Sequence, residues 1–272
     1  MKPAICATCG TQYPPSAEPP ARCEICEDFR QFVGFDGQQW TTLEDLRTSH
    51  QNRWEELGGG LASIHTEPKF AIGQRCLLAR GKRSNILWDA VSLVDEATAH
   101  RIRAEGGVEA IAISHPHYYS SMVEWSRALG DAPILLHEDD ARWVMRPDNC
   151  IRFWSGDTLR VNEDATLIRC GGHFEGAQVM HLADGALLTG DVIQVVADRR
   201  WVSFMRSYPN YIPLPASAVQ RIVAAVEPLE FDRLYGAWPQ FEIASDAKGT
   251  VRRSAERYVR ALREVVGQFE SF

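Results

Sequence analysis

The spacing of hydrophobic and polar positions alternates between two rhythms in the first half of the chain. Short apolar runs predict buried strands, and longer amphipathic segments between them predict helices. The predicted strands are residues 71–79, 86–89, 108–113 and 133–137, and the predicted helices are 91–103, 120–129 and 139–144. Strand and helix in alternation are typical of an α/β domain.

From residue 158 onward, predicted strands follow one another before helices return. Four apolar stretches with turn residues between them predict strands at 158–161, 165–169, 178–182 and 186–188. A helix at 216–226, a strand at 231–235 and a helix at about 250–268 complete the chain. Two sheets between layers of helices would account for this order of elements.

A further helix is predicted ahead of these elements. Thr41 with Glu44 three residues later forms a capping-box pattern, and Leu43, Leu46 and Trp54 supply an apolar face. The three glycines at 58–60 are expected to end this helix.

Composition and charge narrow the classes of partner and compartment. The chain has 272 residues and a formal net charge of −7, which gives no electrostatic reason to expect nucleic acid as a partner. It contains no run of about 20 apolar residues that would span a membrane, and its N-terminus lacks the apolar region of a signal peptide. We therefore expect a cytoplasmic protein that acts on a small molecule; the sequence leaves the oligomeric state open.

Four of the seven cysteines form two pairs near the N-terminus. Cys6 and Cys9, then Cys23 and Cys26, are Cys-x-x-Cys knuckles separated by 13 residues. This spacing predicts a closed tetrahedral zinc site, which is structural because the thiolates fill every coordination position. The proline-rich segment between the knuckles cannot build its own core, so the metal would supply its folding energy.

Alternatives for this module remain. It could dock a protein partner or cover the mouth of an active site, and disulfide pairing of its cysteines is a further alternative. The other three cysteines, Cys76, Cys150 and Cys170, have no pattern around them and are expected to pack as small apolar residues rather than act as nucleophiles.

Candidate metal ligands occur in loops after predicted strands. His115-x-His117 follows the strand at 108–113, a Gly-Gly pair precedes His173, and Gly190 precedes Asp191. Ligands at strand ends are held rigidly, and the glycines let the backbone turn close to an ion. Imidazoles with a carboxylate are a usual set of zinc ligands.

These motifs resemble those of the metallo-β-lactamase superfamily. The resemblance runs from about Arg75 to Ala247 and is carried by ISHPH at 113–117, CGGHFEG at 170–176 and LLTGD at 187–191. It implies an αββα sandwich at 34–272 behind a zinc ribbon-like module at 1–33. It also implies that His115, His117 and His173 form the first metal site of the family, with Asp191 completing or bridging it.

The chain departs from the family at the second metal site. The family's His-x-His-x-Asp-His signature has Tyr119 and Ser120 in its last two positions here, and Trp238 stands where a late histidine is expected. Ligands private to the second site are missing, which favours a single zinc ion. Ferrous iron, which also binds histidines and a carboxylate, is the alternative metal.

A single zinc ion predicts hydrolysis of an activated carbonyl, such as an ester, thioester or lactam. Asp191 is the expected proton acceptor, since tyrosine is a poor base. Tyr119, or its neighbour Tyr118, would donate a hydrogen bond to the developing oxyanion or simply pack. A metal-bound but inert binding protein and a mononuclear iron oxidoreductase are the alternative functions.

Two other histidines and one loop have less specific surroundings. His137 and His181 lie inside predicted strands and are expected to be packed or hydrogen-bonded rather than metal ligands. The polar and aromatic segment at 205–215 either caps the site and selects the substrate or is an ordinary surface connection.

Overall fold

The computed structural model describes residues 1–269, and the chain divides into two compact units. The first is Met1–Ser155 and the second begins at Gly156. The domain boundary predicted between residues 33 and 34 falls inside the first unit and stays a prediction. The domain predicted at 34–272 ends with residues 270–272, which lie outside the described residues.

The first unit begins with a small antiparallel sheet. Strands β1 (Lys2–Cys6), β2 (Gln12–Ser16) and β3 (Trp40–Thr41) pair in the order β2-β1-β3. The four-residue helix α1 (Glu24–Glu27) forms part of the second cysteine knuckle. Cys23 is its N-cap, and Cys26 lies inside it. The four cysteines of this part of the chain thus lie close to strand ends, to a turn and to the short helix α1.

The helix predicted to run from residue 41 towards the glycines at 58–60 is wrong in its length. Helix α2 (Leu43–Ser49) has seven residues, with Thr42 as the N-cap that accepts a hydrogen bond from the Asp45 N–H. His50 is extended, and the chain then forms strand β4 (Gln51–Gly58) with Trp54 inside it. The glycines end a strand, because their positive φ values build a hairpin to the next strand.

A seven-stranded sheet makes up most of the first unit. Its order is β10-β9-β8-β7-β6-β5-β4. The strands after β4 are β5 (Leu61–Glu67), β6 (Arg75–Arg80), β7 (Asn85–Trp88), β8 (Ala110–Ala112), β9 (Ile134–His137) and β10 (Ile151–Trp154). Helices α3 (Glu96–Ala104) and α4 (Met122–Ala128) and 3₁₀-helices at Pro116–Tyr118 and Glu138–Trp143 connect the later strands.

The direction of each strand follows from its connection. Short connections make β4 to β7 antiparallel, whereas α3, α4 and the 3₁₀-helix at Glu138–Trp143 carry the chain back so that β7 to β10 run parallel. The carboxyl ends of β7 and β8 therefore lie side by side. The predicted helix at 139–144 is a 3₁₀-helix instead, the form that short single turns commonly adopt.

The second unit contains a six-stranded sheet of order β11-β12-β13-β14-β19-β20. Its strands are β11 (Thr158–Arg160), β12 (Ala165–Arg169), β13 (Gln178–Leu182), β14 (Ala186–Gly190), β19 (Arg233–Gly236) and β20 (Glu242–Ile243). Two short hairpins lie between β14 and α5: β15 (Gln194–Val195) with β16 (Val202–Ser203), and β17 (Met205–Ser207) with β18 (Ile212–Pro213).

Helices α5 (Ala216–Val226) and α6 (Ala247–Phe269) complete the second unit. The predicted bounds of β12, β13 and α5 match the structure, because each is a clean apolar pattern between turn residues. β12 and β14 both pair antiparallel with β13, so they run in the same direction. The carboxyl ends of β12 and β14 therefore lie at one edge of this sheet, as those of β7 and β8 do in the seven-stranded sheet.

None of the helices in the described residues is both long and apolar enough to cross a membrane.

Candidate metal sites

The first pair of candidate ligands lies just beyond the carboxyl end of β8. His115 is the N-cap of the 3₁₀-helix at Pro116–Tyr118, and His117 lies inside that turn. Pro116 lies at the start of that turn, where its missing N–H costs no ladder hydrogen bond. The two imidazole rings are buried, with centroids 5.2 Å apart and planes at 74°. The tight turn thus brings the rings of residues i and i+2 to the same place.

A buried carboxylate at the end of the neighbouring strand holds this loop. Asp89 follows β7, and its Oδ1 accepts a hydrogen bond of 2.7 Å from the N–H of Ser114. The Asp89 N–H in turn donates to the Ala112 carbonyl at 2.8 Å. The Ser114 hydroxyl lies 2.9 Å from His115 Nδ1, so one chain of contacts links Asp89 to the first candidate ligand. Such a contact orients the ring that would meet an ion.

Burial changes the acidity of this carboxyl group. Removal from water raises the pKa of Asp89 from its ordinary 3.8 to about 7, although the hydrogen bond from Ser114 favours the charged form. The sequence analysis did not single out Asp89. The available signal was a lone acid directly after the apolar residues 86–88, where an unneeded charge would be costly.

The second pair of candidate ligands follows β12 and β14. Gly171 and Gly172 have φ values of 65° and 86°, which deliver His173 directly after the strand. A Cβ added at Gly172 would lie 2.7 Å from Cδ1 of Ile222 on α5, so a side chain there would require Ile222 to shift and would also have to adopt a left-handed φ. His173 Nδ1 donates to the Met205 carbonyl at 3.0 Å, because a carbonyl can only accept. In a neutral ring this leaves Nε2 unprotonated and available to a metal.

Asp191 follows Gly190, whose φ of 50° turns the chain out of β14 at a register shift beside β19. The Asp191 carboxyl group is buried. The hydroxyl of Tyr208 donates to the backbone carbonyl of Asp191 at 2.9 Å. The centroid of the Tyr208 ring lies 5.7 Å from that of the His173 ring. The β17–β18 hairpin therefore contacts both candidate ligands of the second unit. Met205 and Tyr208 lie in the segment 205–215, and the contacts by which they position these ligands were not part of the expectation for it.

Two sets of four side chains in the described part of the chain offer one ligand atom per residue, all within 4.8 Å of one another. One set is Cys6, Cys9, Cys23 and Cys26, and the other is His115, His117, His173 and Asp191. All eight residues are buried. The candidate ligands expected from the motifs are thus brought together, and His137, His181, Tyr119 and Trp238 belong to neither set.

The donor chemistry of the second set fits a metal cation. Three imidazoles and one carboxylate at this separation form the ligand set that zinc and ferrous iron accept. A carboxylate held among imidazoles away from water is stabilised by a positive charge. The positions that the resemblance assigns to a second metal carry Tyr119, Ser120 and Trp238, whose side chains are poor ligands for it.

The sulfur positions in the first set fit a tetrahedral ion. Cys6 and Cys26 are 3.5 Å apart between their Sγ atoms, and Cys9 and Cys23 are 3.6 Å apart. A Zn–S bond of about 2.3 Å implies about 3.8 Å between sulfurs, whereas a disulfide needs about 2.05 Å. All seven cysteines are free, so the disulfide alternative is not realised in the structure.

Polar groups around the four sulfurs are those of a thiolate site. Gln38 Nε2 donates to Cys6 Sγ at 3.2 Å, and the Tyr13 hydroxyl donates to Cys23 Sγ at 3.5 Å. Tyr13 also packs edge to face against Trp40, with ring centroids 5.1 Å apart. These donors favour charged sulfur, which a bound cation requires.

The cysteine module is tied to the loop that follows His117. The backbone N–H of Gln12 donates to the Ser120 carbonyl at 3.1 Å, and Gln74 Nε2 donates to the Ser120 hydroxyl at 3.1 Å. Ser120 has a φ of 35°, a left-handed conformation that needs such support in a residue other than glycine. The Ser92 hydroxyl also donates to the Gly10 carbonyl at 3.1 Å. These contacts suit a folding module built into its unit.

The remaining candidates are placed as follows. Tyr119 is buried, and burial together with the charge of Asp140 raises the pKa of its phenol well above 10, so it stays protonated. His137 Nδ1 accepts from the Asp139 N–H and its ring packs against Trp154, while His181 Nε2 donates to the Glu230 carbonyl. Both histidines have the hydrogen-bonded environment expected of them.

The unpatterned cysteines are poor nucleophiles. Burial raises the pKa of the Cys170 thiol to about 12 and also raises those of Cys76 and Cys150. Cys150 is half-buried rather than buried, which corrects that expectation in part.

Comparison with solved structures defines the class of fold. DIM-1 metallo-β-lactamase superposes with a TM-score of 0.59 at 12% identity, over 78% of this chain and 98% of that one. FIM-1 from Pseudomonas aeruginosa, in its mono-zinc form, gives 0.57 at 15% identity, over 76% and 96%. A metallo-β-lactamase from Hirschia baltica gives 0.52 at 15% identity, over 76% and 97%. The chain therefore has the metallo-β-lactamase fold, which confirms the expected αββα class.

Sequence comparison identifies the family within that fold. The uncharacterized protein YmaE of Bacillus subtilis strain 168 is 52% identical over 265 residues, which are 95% of this chain and 96% of YmaE. The chain belongs to the family of YmaE. It matches no general model of a protein family.

Replacement of Gly172 tests the close approach of α5 to the His173 loop. Gly172→Ala would incur the strain of a positive φ, about 1–2 kcal/mol, and about 1–3 kcal/mol more from the contact with Ile222. We expect lower stability to urea and lower metal content. Gly156→Ala is the matched control, because its φ of 88° is similar but its Cβ would meet nothing within 4 Å. Equal losses in both variants would contradict this account.

The raised pKa of Asp89 predicts a pH dependence of stability. The folded protein holds a proton on Asp89 that the unfolded chain releases near pH 3.8, so stability falls as the pH rises from about 4 to about 7. At about 1.4 kcal/mol per pKa unit, the loss is on the order of 4 kcal/mol. Asp89→Asn cannot ionise, so it should gain stability relative to the wild type across this interval at equal metal content. Parallel urea-unfolding curves from pH 5 to pH 8 would argue against it.

Loss of one thiolate tests the cysteine site. Isolated structural zinc sites bind with about 10–16 kcal/mol of apparent free energy, so Cys9→Ser should lose one zinc ion per chain and a large part of the stability. Elemental analysis after dialysis and thermal unfolding measure both effects. Cys150→Ser, outside the cluster, should retain the ion and the midpoint of unfolding. Unchanged metal content in Cys9→Ser would exclude a four-thiolate site.

Proposed function

We propose that the chain is a metal-dependent hydrolase with a single zinc ion at His115, His117, His173 and Asp191. The observation that carries this proposal is the gathering of four buried ligand atoms within 4.8 Å of one another. The proposed substrate is a small-molecule ester, thioester or lactam. The metallo-β-lactamase fold and the names of its solved relatives, which include a mono-zinc form of FIM-1, support the proposal.

A zinc ion in this site would supply a Lewis acid that activates water and polarises a carbonyl group. The residues of the chain fix how the ligands present themselves. The Met205 carbonyl accepts the Nδ1 proton of His173, so Nε2 of His173 would be the ligand nitrogen. The Ser114 hydroxyl contacts Nδ1 of His115, which favours Nε2 as the ligand nitrogen of that ring as well. Burial of all four side chains keeps bulk water from competing with them.

We assign proton transfer to the Asp191 carboxylate. It is the one acid among the four side chains, so it can take a proton from water and return it to a leaving group. Tyr119 keeps its proton, because burial and Asp140 raise its pKa well above 10. Its proposed role is therefore restricted to hydrogen-bond donation to a developing oxyanion. Both roles are proposals about catalytic residues.

The cysteine site is proposed to hold a second, structural zinc ion. A cytoplasmic location is part of the proposal, because seven free cysteines suit a reducing compartment. The contacts from residues 10 and 12 to the rest of the first unit support a folding role for the module. A protein partner on its outer surface stays a prediction.

Metal content and turnover together test the proposed function. We expect two zinc ions per chain, one of which is lost in His117→Ala, and hydrolysis of one or more of a p-nitrophenyl ester, an aryl thioester and a chromogenic β-lactam. His117→Ala should lower kcat/KM by about 100-fold or more, in line with removal of a charge-stabilising group. His181→Ala is the control, since its ring is tied to Glu230 outside the metal set.

Different results would select different functions. Three metal ions per chain would rule out a single-metal centre. Iron in the native protein, with activity that depends on anaerobic reconstitution, would replace the hydrolase by an oxidoreductase. A full complement of zinc with no turnover of any of the three substrate classes would favour an inert binding protein.

A further inference from the structure

A cavity lies in the second unit, on the side of the His173 loop that faces α5. It has a volume of about 630 Å³, within the usual range for small-molecule sites. Gly171 and Gly172 form part of its wall, and His173 does not line it. The cavity is therefore adjacent to a candidate metal ligand without being made of metal ligands.

Three arginines from three different elements line this cavity. Arg169 ends β12, Arg206 lies in β17, and Arg221 lies in the middle of α5. Two acids, Asp157 and Glu175, also line it, and both are exposed. Three guanidinium groups against two carboxylates leave one net positive charge, in a chain whose formal net charge is −7. The local charge is thus opposite to that of the whole protein.

Arg221 is the arginine that a ligand would meet first. Among the residues whose side chains the structure describes, it has neither an ion pair nor a hydrogen bond, and it is exposed. Arg169 and Arg206 are half-buried, so their charges are less screened by water. A guanidinium group offers two parallel N–H donors that match the oxygens of a carboxylate or a phosphate.

Each of two arginines is also the chain neighbour of a residue that positions His173. Arg206 follows Met205, whose carbonyl accepts the His173 Nδ1 proton. Arg221 precedes Ile222, whose Cδ1 would lie 2.7 Å from a Cβ at Gly172. A ligand held by both arginines would therefore act on β17, α5 and the glycine loop together.

We propose that this cavity binds an oxyanion, the phosphate or carboxylate group of a small molecule, through Arg221, Arg206 and Arg169. Two sources share this chemistry: free phosphate acting on the His173 loop, and an anionic group carried by the substrate itself. The second source rests on the proposed hydrolase function, whereas the first does not.

Direct binding of inorganic phosphate tests the cavity without any assay of activity. We expect phosphate, at constant ionic strength against chloride, to raise the unfolding temperature of the zinc-loaded protein. Arg221→Gln should weaken the apparent phosphate affinity about tenfold or more, because a charge-assisted pair is lost. Arg260→Gln, an exposed arginine on α6 that does not line this cavity, is the matched control and should bind as the wild type does.

A metal-deficient variant separates the cavity from the candidate metal site. His117→Ala should still be stabilised by phosphate, and Arg221→Gln should be stabilised less than the wild type at the same phosphate concentration. Stabilisation that disappears in His117→Ala but survives in Arg221→Gln would overturn the proposal, because the phosphate would then bind the metal. The absence of stabilisation by both phosphate and succinate in the wild type would overturn it as well.

Two ester substrates distinguish the two sources. If the substrate carries the anion, Arg221→Gln should raise KM for mono-p-nitrophenyl succinate about tenfold and leave p-nitrophenyl acetate unchanged. If free phosphate is the ligand, it should change the turnover of p-nitrophenyl acetate in the wild type and not in Arg221→Gln. Phosphate binding without hydrolysis of either ester would keep the oxyanion site and reject the ester among the three proposed substrate classes.

Discussion

A negative carboxylate held away from water needs a positive partner, and the candidate centre depends on this constraint. Asp191 lies with three imidazoles in a set of buried side chains that carries no cationic amine or guanidinium of its own. Burial removes the water that would otherwise solvate these groups, so a cation bound among them would be held strongly. Electrostatic interactions are stronger where water is excluded.

Rigid placement of the ligands comes from backbone groups more than from side-chain packing. The Ser114 amide fixes the loop after β8 on Asp89, the Met205 carbonyl fixes His173, and the Tyr208 hydroxyl fixes the Asp191 backbone. Each of these contacts joins residues from different elements of one unit. Asp89 and the Ser114 loop meet because β7 and β8 are parallel neighbours, whose carboxyl ends lie at the same edge of the sheet.

The class of fold and the candidate ligands could be predicted from the sequence, because short motifs carry both the ligand residue types and the resemblance to the metallo-β-lactamase superfamily. Histidines two residues apart after an apolar run, and glycines before His173 and Asp191, need no knowledge of distant contacts. The helix predicted across residue 54 failed because β4 is a largely polar strand whose pairing with β5 is decided by distant partners. Asp89 was missed, and the contacts that Met205 and Tyr208 make from the segment 205–215 were not foreseen, for a related reason: these roles rest on hydrogen bonds to backbone atoms, which carry no residue-specific pattern.

The cysteine module is packed into the rest of the first unit. β1 pairs with β3, Ile5 packs with Leu46 and Leu93, and the Gln12 amide meets the Ser120 carbonyl. A truncated chain that starts after the knuckles, as a minimal β-lactamase-like domain would be designed, exposes that apolar cluster and leaves a left-handed serine without its support. Engineering or crystallographic work on this family therefore has to retain residues 1–41, even where only the chemistry of the larger sheets is of interest.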